Sequence, residues 1–406
     1  MKLKVGEEKI IAFSHKMAQM EWGPYEFPEI GRFLDGRILV KWHQARDYLA
    51  DFGTAPGFAV SEDEGETWHP IDFSKEPLGE WTEVFTGTRL PNGEYMMMYV
   101  PKPVPIDAQM FQTLSEKFLV DKVNGIEPFD YRKIAVHDVP DGLICKTYRY
   151  VVTRENCTKA EIVEADMHFP SMVVSLTAEE IQNPFQDVRL RVAPDGSLWQ
   201  LAYQSEYDAE TKEFRRNHAA YFFRSTDNGK NFECMSKIPH HLPFDPEWDR
   251  VKEGFSEQDI TFLPDGSMIT ILRTGFFVPS YIARSTDGGR TWSEPVKFDN
   301  CGTQPRLHTF PNGVTVAAYG RPGLYIRATD DPSGMNWDDP IEIIPRLYGK
   351  DFAELERKVN DTSCFNPDIL PLNDHEFLLV YSDSRHRDED GSIRKSIRCR
   401  KISVEV

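Results

Sequence analysis

The sequence has few basic residues, few cysteines and no long apolar run, and each shortage argues against a class of protein. Lysine and arginine together number 47 in 406 residues, against 65 aspartates and glutamates, which gives a net charge of -18. Such a charge repels phosphate backbones and anionic lipid, so we expect neither a nucleic-acid nor a membrane partner. An anionic small substrate requires a place where arginines reverse the local charge.

The apolar segments are too short for a membrane span or a signal sequence. No apolar stretch reaches the roughly 18 residues of a membrane helix. The opening segment, MKLKVGEEKIIAFSHKMAQM, lacks the apolar centre of a secretory signal. We therefore expect a soluble, cytoplasmic protein, or a secreted or periplasmic one if a leader was removed. The oligomeric state stays open.

The six cysteines form no recognisable metal or disulfide pattern. They lie at positions 145, 157, 234, 301, 364 and 399, without a Cys-x-x-Cys pair or a zinc-ligand spacing. We predict ordinary buried thiols, no metal and no other cofactor. Hydrophobic residues make up 40% and charged residues 28% of the chain, which is typical of a globular protein.

What the sequence does contain is a repeated hairpin signal. An Asp-Gly or Asn-Gly turn between two β-rich runs favours a hairpin, because both central positions tolerate positive φ. Six segments show this pattern, the last with Asn-Asp in place of the glycine turn: FLDGRILVKW, LPNGEYMMMYV, APDGSLWQLAY, LPDGSMITILR, FPNGVTVAAYG and LPLNDHEFLLVY. This regular recurrence indicates a repeat architecture.

A second motif, Ser-x-Asp-x-Gly-x-x-aromatic, alternates with the hairpins. It occurs as VSEDEGETW, RSTDNGKNF and RSTDGGRTW, with a degenerate copy ATDDPSGMNW. We expect its Ser and Asp side chains to bond the backbone of their own turn, and its aromatic ring to pack between neighbouring sheets. A calcium loop is the alternative, but the flanking helices and the final Glu of an EF-hand are missing.

Together the two motifs predict an all-β fold. Each repeat reads as a four-stranded antiparallel meander, and six repeats predict one six-bladed β-propeller domain over residues 1–406. Residues 101–185 interrupt the rhythm and contain a short helical pattern followed by β-like sequence. We interpret them as an insertion in or beside the second blade.

Alternating aspartate boxes and Pro-Asp-Gly hairpins resemble the sialidase superfamily of six-bladed propellers, over nearly the whole chain outside the insertion. Several activities share that fold. The resemblance implies a site where first strands begin and second strands end, near the propeller axis. Counting from the turns predicts the following lining residues: Glu26, His43, Glu83, Tyr203, Glu257, Arg273, Gln304, Arg321, Asn366 and Tyr381.

Sialidases hold the substrate carboxylate with three arginines, which make bidentate charge-assisted bonds. By resemblance, Arg273 in LPDGSMITILR matches the second arginine and Arg321 in RPGLYIR the third. The first arginine belongs to a Phe-Arg-Ile-Pro motif, but this chain has YEFPEI there, with Glu26 at the arginine position. This departure argues against standard sialic acid as the substrate.

The catalytic residues depart from the pattern as well. Glu257 matches the sialidase glutamate, but the place of its tyrosine partner is taken by Phe365 and Asn366. Asp47 and Asp51 are candidates for the acid/base aspartate, and Glu26 could raise the pKa of either carboxyl group by like-charge repulsion. His43 is a further candidate acid or base.

A mechanism with two carboxyl groups follows as the functional hypothesis. One carboxylic acid protonates the leaving oxygen, and Glu257 or Glu26 activates water or attacks directly. We expect an exo-acting glycoside hydrolase that removes a terminal sugar, acidic or neutral, from a glycan. Two alternatives stay open: a lyase on uronic acid glycans, with His43 or Tyr203 as base, and a carbohydrate-binding propeller without catalysis.

Overall fold

A computed structural model describes most of the chain in detail. The described residues are 2–17, 21–32, 36–46, 54–71, 88–90, 95–99, 104–123, 131–140, 147–153, 160–168, 172–182, 185–186, 190–208, 210–241, 254–275, 278–345 and 365–405. Among them, no helix is long and apolar enough to cross a membrane. Three of the predicted site residues, Asp47, Asp51 and Glu83, lie outside these ranges.

The chain divides into two compact units. The first contains Met1–Thr86, Asp259–Gly288 and Trp292–Val406, and the second contains Gly87–Gln258 with Gly289–Thr291. The predicted insertion at 101–185 falls within the second unit. The organisation as a single propeller domain stays a prediction.

The first unit begins with five strands and resumes with eleven more after the second unit. The strands of its amino-terminal part are β1 (Lys2–Phe13), β2 (Glu29–Arg32), β3 (Ile38–Trp42), β4 (Gly57–Ser61) and β5 (His69–Pro70). The second unit contributes β6 (Thr88–Arg89), β7 (Tyr95–Tyr99), β8 (Val104–Pro105), α1 (Ala108–Phe118), β9 (Leu119–Val123), β10 (Tyr131–Ala135), a 3-10 turn (Val136–Asp138), β11 (Thr147–Thr153), β12 (Ala160–His168), β13 (Val173–Leu176), β14 (Glu180–Gln182), β15 (Phe185–Gln186), β16 (Arg191–Val192), β17 (Leu198–Tyr207), β18 (Phe214–Ser225) and β19 (Asn231–Ile238). The remaining strands are β20 (Ser256–Phe262), β21 (Met268–Arg273), β22 (Ser280–Ser285), β23 (Val296–Asp299), β24 (Thr303–Thr309), β25 (Thr315–Gly320), β26 (Leu324–Thr329), β27 (Ile341–Ile344), β28 (Pro367–Asn373), β29 (Glu376–Arg387) and β30 (Ile393–Glu405).

The described structure is nearly all-β, as predicted. Four sheets have four strands each, in the orders β1-β30-β29-β28, β2-β3-β4-β5, β20-β21-β22-β23 and β24-β25-β26-β27. The second unit differs from the expected repeat. It has a five-stranded sheet, β8-β14-β13-β10-β9, and a nine-stranded sheet in which β11 and β12 of the insertion join strands β6 and β7 to β17–β19. The arrangement as six separate four-stranded blades stays a prediction.

Two of the predicted hairpin turns are tied to the second motif by an ion pair. Four of the predicted turns lie among the described residues and connect paired strands, at 193–196, 263–266, 310–313 and 370–374. Asp265 Oδ1 accepts hydrogen bonds from the amide of Ser267 at 2.9 Å and from its hydroxyl at 2.5 Å, while Gly266 has φ 81°. Arg284, which precedes the serine of an aspartate box, donates to Asp265 Oδ2 at 2.6 Å. Arg224 and Asp195 repeat this contact at 2.6 Å in the second unit. The hairpin turn and the aspartate box are thus linked at the same end of the sheet, a contact that sequence reasoning missed.

The predicted side-chain bonds of the aspartate box are also present. Ser61 Oγ donates to Asp63 Oδ1 at 2.8 Å and accepts from the Gly65 amide at 2.8 Å. The Thr67 amide and hydroxyl donate to Asp63, and these bonds lower the pKa of that carboxyl group to about 2. In the degenerate copy, Thr329 replaces the serine. These bonds are local, so the motif sets the turn and not the chemistry of a site.

The aromatic residues of the boxes pack as predicted. Trp68 lies against a cluster formed by the sheets β2–β5 and β28–β30, and Trp337 lies against the cluster between β20–β23 and β24–β27. A Cβ built on Gly65 would lie 2.8 Å from a methyl of Leu378 in the neighbouring sheet, and φ there is +85°. Glycine is therefore required both by the turn and by the close approach of the sheets.

Candidate functional site

The first strands of neighbouring sheets in the first unit run side by side in the same direction. Asp259 Oδ2 on β20 accepts from the Leu307 amide on β24 at 2.8 Å. Two residues further along both strands, the hydroxyls of Thr261 and Thr309 lie 2.9 Å apart. Because both contacts advance together, β20 and β24 are parallel and begin at the same end.

The strands β28 and β2 continue this alignment. Asp368 Oδ2 on β28 accepts from the Ile30 amide on β2 at 2.7 Å, and Asp368 Oδ1 lies 3.5 Å from Arg306 Nε on β24. Lys395 on β30 lies opposite the last residues of β29 and contacts Glu26, which precedes β2. The start of β2 therefore lies near the end of β29. The openings of β24, β28 and β2 therefore form one edge, which we call the opening edge.

The backbone along the opening edge repeats an unusual conformation. Phe27, Gln304 and Phe365 have φ of 52°, 44° and 43°, and Arg321, just after β25, has φ 51°. Such dihedrals are costly for residues with side chains and concentrate at functional sites. Glu257 shares the feature, with φ 42°, at the start of β20.

Two polar side chains at the opening edge are buried without hydrogen bonds. Asn366 is 1% exposed, and neither its amide oxygen nor its amide nitrogen has a partner among the described residues. The hydroxyl of Thr303, 2% exposed, is likewise without a partner in that part of the chain. A buried unpaired polar group costs about 1–3 kcal/mol. Such a cost is compensated when a ligand supplies the missing hydrogen bonds.

A row of rings leads along the same edge to Arg321. The Arg321 guanidinium carbon lies 4.8 Å from the centre of the Trp22 ring. The Trp22 and Phe27 rings are 6.1 Å apart, and the Phe27 and His43 rings 4.9 Å apart. The three rings are partly exposed, whereas Arg321 is 2% exposed. We call Trp22, Phe27 and His43 the ring row.

Glu26 has a different environment from the one predicted for it. Its side chain is fully buried, and Oε1 accepts a hydrogen bond of 2.6 Å from Lys395 Nζ, which is also fully buried. Its Oε2 accepts from the Gly23 amide at 3.2 Å. A lysine far away in sequence thus neutralises Glu26 and removes it from solvent, which differs from the open lining position and the catalytic role predicted for it.

Tyr381 also departs from the prediction. Its ring is fully buried in a hydrophobic core, and its hydroxyl donates to Glu8 Oε2 at 2.6 Å. Burial and the bond to Glu8 raise the pKa of Tyr381. Arg398 and Arg400 lie against the same carboxylate. Since its hydroxyl is satisfied and no surface of the ring is exposed, Tyr381 does not line an open site.

The remaining predicted residues are found at strand ends. Arg273 closes β21, is 6% exposed and donates from Nε to the Gly275 carbonyl at 3.4 Å. Gln304 is partly exposed at the opening edge. Glu257 and Tyr203 are partly exposed and belong to the second unit. The structure thus brings His43, Glu26, Gln304, Arg321 and Asn366 to one edge of the first unit.

Sequence reasoning did not identify Trp22, Lys395 or Thr303. Trp22 precedes the first repeat, so no turn motif gave its place. Lys395 lies in a strand whose pattern predicts only β structure. Among the described residues, no group of three or more His, Cys, Asp or Glu side chains could hold a metal ion. Three described cysteines, Cys234, Cys301 and Cys399, are free thiols.

Comparisons with known proteins give similarity in structure alone. No protein-family model matches the chain, and no curated protein matches it. The chain is similar in structure to a protein of unknown function from Dyadobacter fermentans, at TM-score 0.62 and 16% identity over 99% of both chains. Weaker similarity extends to the Hadza microbial sialidase Hz136, at TM-score 0.49 and 13% identity over 92% of this chain and 65% of that one. The α-L-arabinofuranosidase Arb93A of Fusarium graminearum matches at TM-score 0.46 and 12% identity, over 95% of this chain and 97% of that one. The first of these similarities shows a shared fold.

Proposed function

We propose that the chain is a sialidase-like glycoside hydrolase that removes a terminal sugar from a glycan, on a six-bladed propeller. The observation that carries the proposal is the buried amide of Asn366, whose two polar atoms lack partners among the described residues. A sugar hydroxyl both donates and accepts hydrogen bonds, so it complements an amide group. The residue stands at the opening edge together with Gln304 and Arg321.

Arginines supply the charge that an acidic sugar needs. Arg321 and Arg273 are buried cations at strand ends in a chain of net charge -18. A guanidinium binds a carboxylate or sulfate through two parallel hydrogen bonds. Because Lys395 pairs with Glu26, that carboxylate does not stand free at the position of the missing first arginine. This supports a substrate with one acidic group held by fewer arginines than in sialidases.

In this proposal, Glu257 activates the water molecule that attacks the sugar. Asp47 or Asp51 donates the proton to the leaving oxygen. His43 is a further proton donor or acceptor. Positive φ at Glu257 supports a role in the site, because strained backbone concentrates where function requires it. Glu83 and Tyr203 complete the proposed substrate contacts.

The test is a screen for sugars released from sialylated, uronic and sulfated glycans and arabino-oligosaccharides. If the chain is a hydrolase, new reducing ends should form, and Glu257→Gln should lower the rate of their release by at least a hundredfold. The matched control is Glu294→Gln, at an exposed glutamate between β22 and β23, which should retain full activity. An unsaturated product absorbing near roughly 235 nm would indicate a lyase and contradict hydrolysis. Binding without turnover, unaltered by Glu257→Gln, would also contradict the proposal.

A further inference from the structure

Two members of the ring row, Trp22 and Phe27, have no role in the proposed catalysis. Trp22, Phe27 and His43 keep part of their surface exposed, although aromatic rings stabilise a fold best when fully buried. Phe27 and Trp22 meet at 79°, edge to face. The row is also continuous with a cation, because the Arg321 guanidinium stacks on Trp22 at 4.8 Å.

The segment that carries the rings is held rigidly. Tyr25 and Phe27 have φ of 54° and 52°. The Tyr25 amide donates to the His43 carbonyl at 2.7 Å, and the His43 amide donates to the Glu26 carbonyl at 3.0 Å. Between the two strained residues, the buried Glu26 side chain is anchored by Lys395. The strained backbone and the buried ion pair thus hold the segment in a conformation that leaves the Trp22 and Phe27 rings partly exposed. A preorganised binding site has such an arrangement.

We propose that Trp22 and Phe27 form a carbohydrate subsite, on which the apolar face of a sugar ring stacks. The substrate class follows from what surrounds the rings. Arg321 at one end of the row favours a glycan with an acidic substituent, and the amide of Asn366 at the same edge suits a hydroxyl. Flat aromatic surface beside a few fixed polar groups is the usual composition of a ligand site. This inference rests on the proposed function and names the substrate class of that same site.

A second possible site is a cleft in the second unit lined by Lys117, His137, Tyr207 and Lys212. Its lysines are ordinary surface groups, and His137 already contacts Asp138 at 3.5 Å. The ring row differs because it combines strained backbone, a buried anchor and an unpaired buried amide at one edge. The observations therefore favour the first unit.

The experiment compares Trp22→Ala and Phe27→Ala with a matched control, Phe13→Ala. Phe13 is 37% exposed and pairs with His386 at a ring distance of 4.9 Å, the same distance as Phe27 and His43. Thermal unfolding of each variant first establishes that it folds. Two quantities are then measured: sugar release, and binding of 3′-sialyllactose, a galacturonic acid disaccharide and arabinobiose by saturation-transfer NMR.

The proposal predicts about tenfold weaker binding of an acidic probe in Trp22→Ala and Phe27→Ala, and no change in Phe13→Ala. In turnover, KM should rise while kcat changes little, because the rings bind the substrate without touching the reacting atoms. Equal binding by all variants would overturn the subsite, even if the wild-type protein hydrolyses glycans. Ring-dependent binding without any sugar release would support the subsite and refute the hydrolase. A wild-type protein that neither binds nor cleaves would overturn both.

Discussion

The buried ion pair between Glu26 and Lys395 allows a quantitative prediction about the opening edge. Both side chains are fully buried, and they are 2.6 Å apart. Replacing one partner leaves the other charge uncompensated, which costs about 3–5 kcal/mol in known buried pairs. Glu26→Gln should show this loss although it preserves the shape of the side chain. Lys395→Met should show it as well.

The double variant Glu26→Gln/Lys395→Met is the decisive measurement. It contains no uncompensated charge, and the Gln carbonyl can still accept the Gly23 amide. We therefore expect a loss of only about 1 kcal/mol, much less than the sum of the single losses. At about 2–4 °C per kcal/mol, each single variant should lower the Tm by roughly 10 °C and the double variant by roughly 3 °C.

Differential scanning fluorimetry and urea titration measure these differences. The matched control is Lys9→Met, which breaks the exposed pair with Glu66, 3.4 Å apart. Because solvent screens that pair, its loss should cost less than about 1 kcal/mol. Additive losses in the double variant, or a control as damaging as Lys395→Met, would refute the argument that burial makes the Glu26 pair indispensable.

Three further predictions concern single positions. In urea titration, Gly65→Ala should destabilise the protein by about 1–2 kcal/mol more than Gly266→Ala. Both glycines have positive φ, but of the two only Gly65 has atoms within 4 Å of an added Cβ. Equal losses of stability would contradict this reasoning. Burial lowers the pKa of His308 to about 4, below its value in the unfolded chain. As the pH decreases, the unfolded state therefore binds a proton before the folded state does. The free energy of unfolding should fall as the pH decreases from about 6.5 to 4. His308→Gln should flatten that part of the stability curve, and an unaltered curve would rule out this origin. Tyr381→Phe should cost about 1–2 kcal/mol through the lost bond to Glu8 with unchanged kcat/KM, whereas a large loss of activity in a stable variant would return Tyr381 to the site.

Local chemistry explains why the turns could be predicted. In the box at residues 61–68, the side-chain bonds of Ser61 and Asp63 join residues within four positions of each other, so the sequence of the turn contains this network. The bonds from Ser267 to Asp265 in the hairpin turn are equally local. The packing of Trp68 between neighbouring sheets was predicted from the same motif.

The site could be predicted only in part. Counting residues from the turns places side chains at strand ends, but it does not show which residues they contact. It brought Arg321 and Asn366 to the same edge as Glu26. It could not reveal that Lys395, 369 residues away, neutralises Glu26. Tyr381 was assigned to the site for the same reason, although Glu8 and the core hold its side chain.

The sheet pairing of residues 101–185, which we interpret as an insertion, could not be predicted. Its β12 runs parallel to β19, with Met167 opposite Phe232. Hairpin turns join antiparallel strands, so the turn motifs used for the repeats give no information about the parallel pairing of β12 and β19. The nine-stranded sheet depends on this long-range contact.

The pairing of the first strand has a consequence for biosynthesis. Among the described strands, β1 has β30 as its sheet neighbour, with Lys2 opposite Glu405 and Phe13 opposite Ser396. During synthesis, β1 must therefore wait until β30 has been made before these backbone pairs can form. Its exposed residues Ile10 and Phe13 would make a nascent chain vulnerable to aggregation throughout that interval, since unpaired strands template association. Ribosome-bound chains stalled before Ile393 should show rapid amide exchange in β1, which stops once the remaining residues are released.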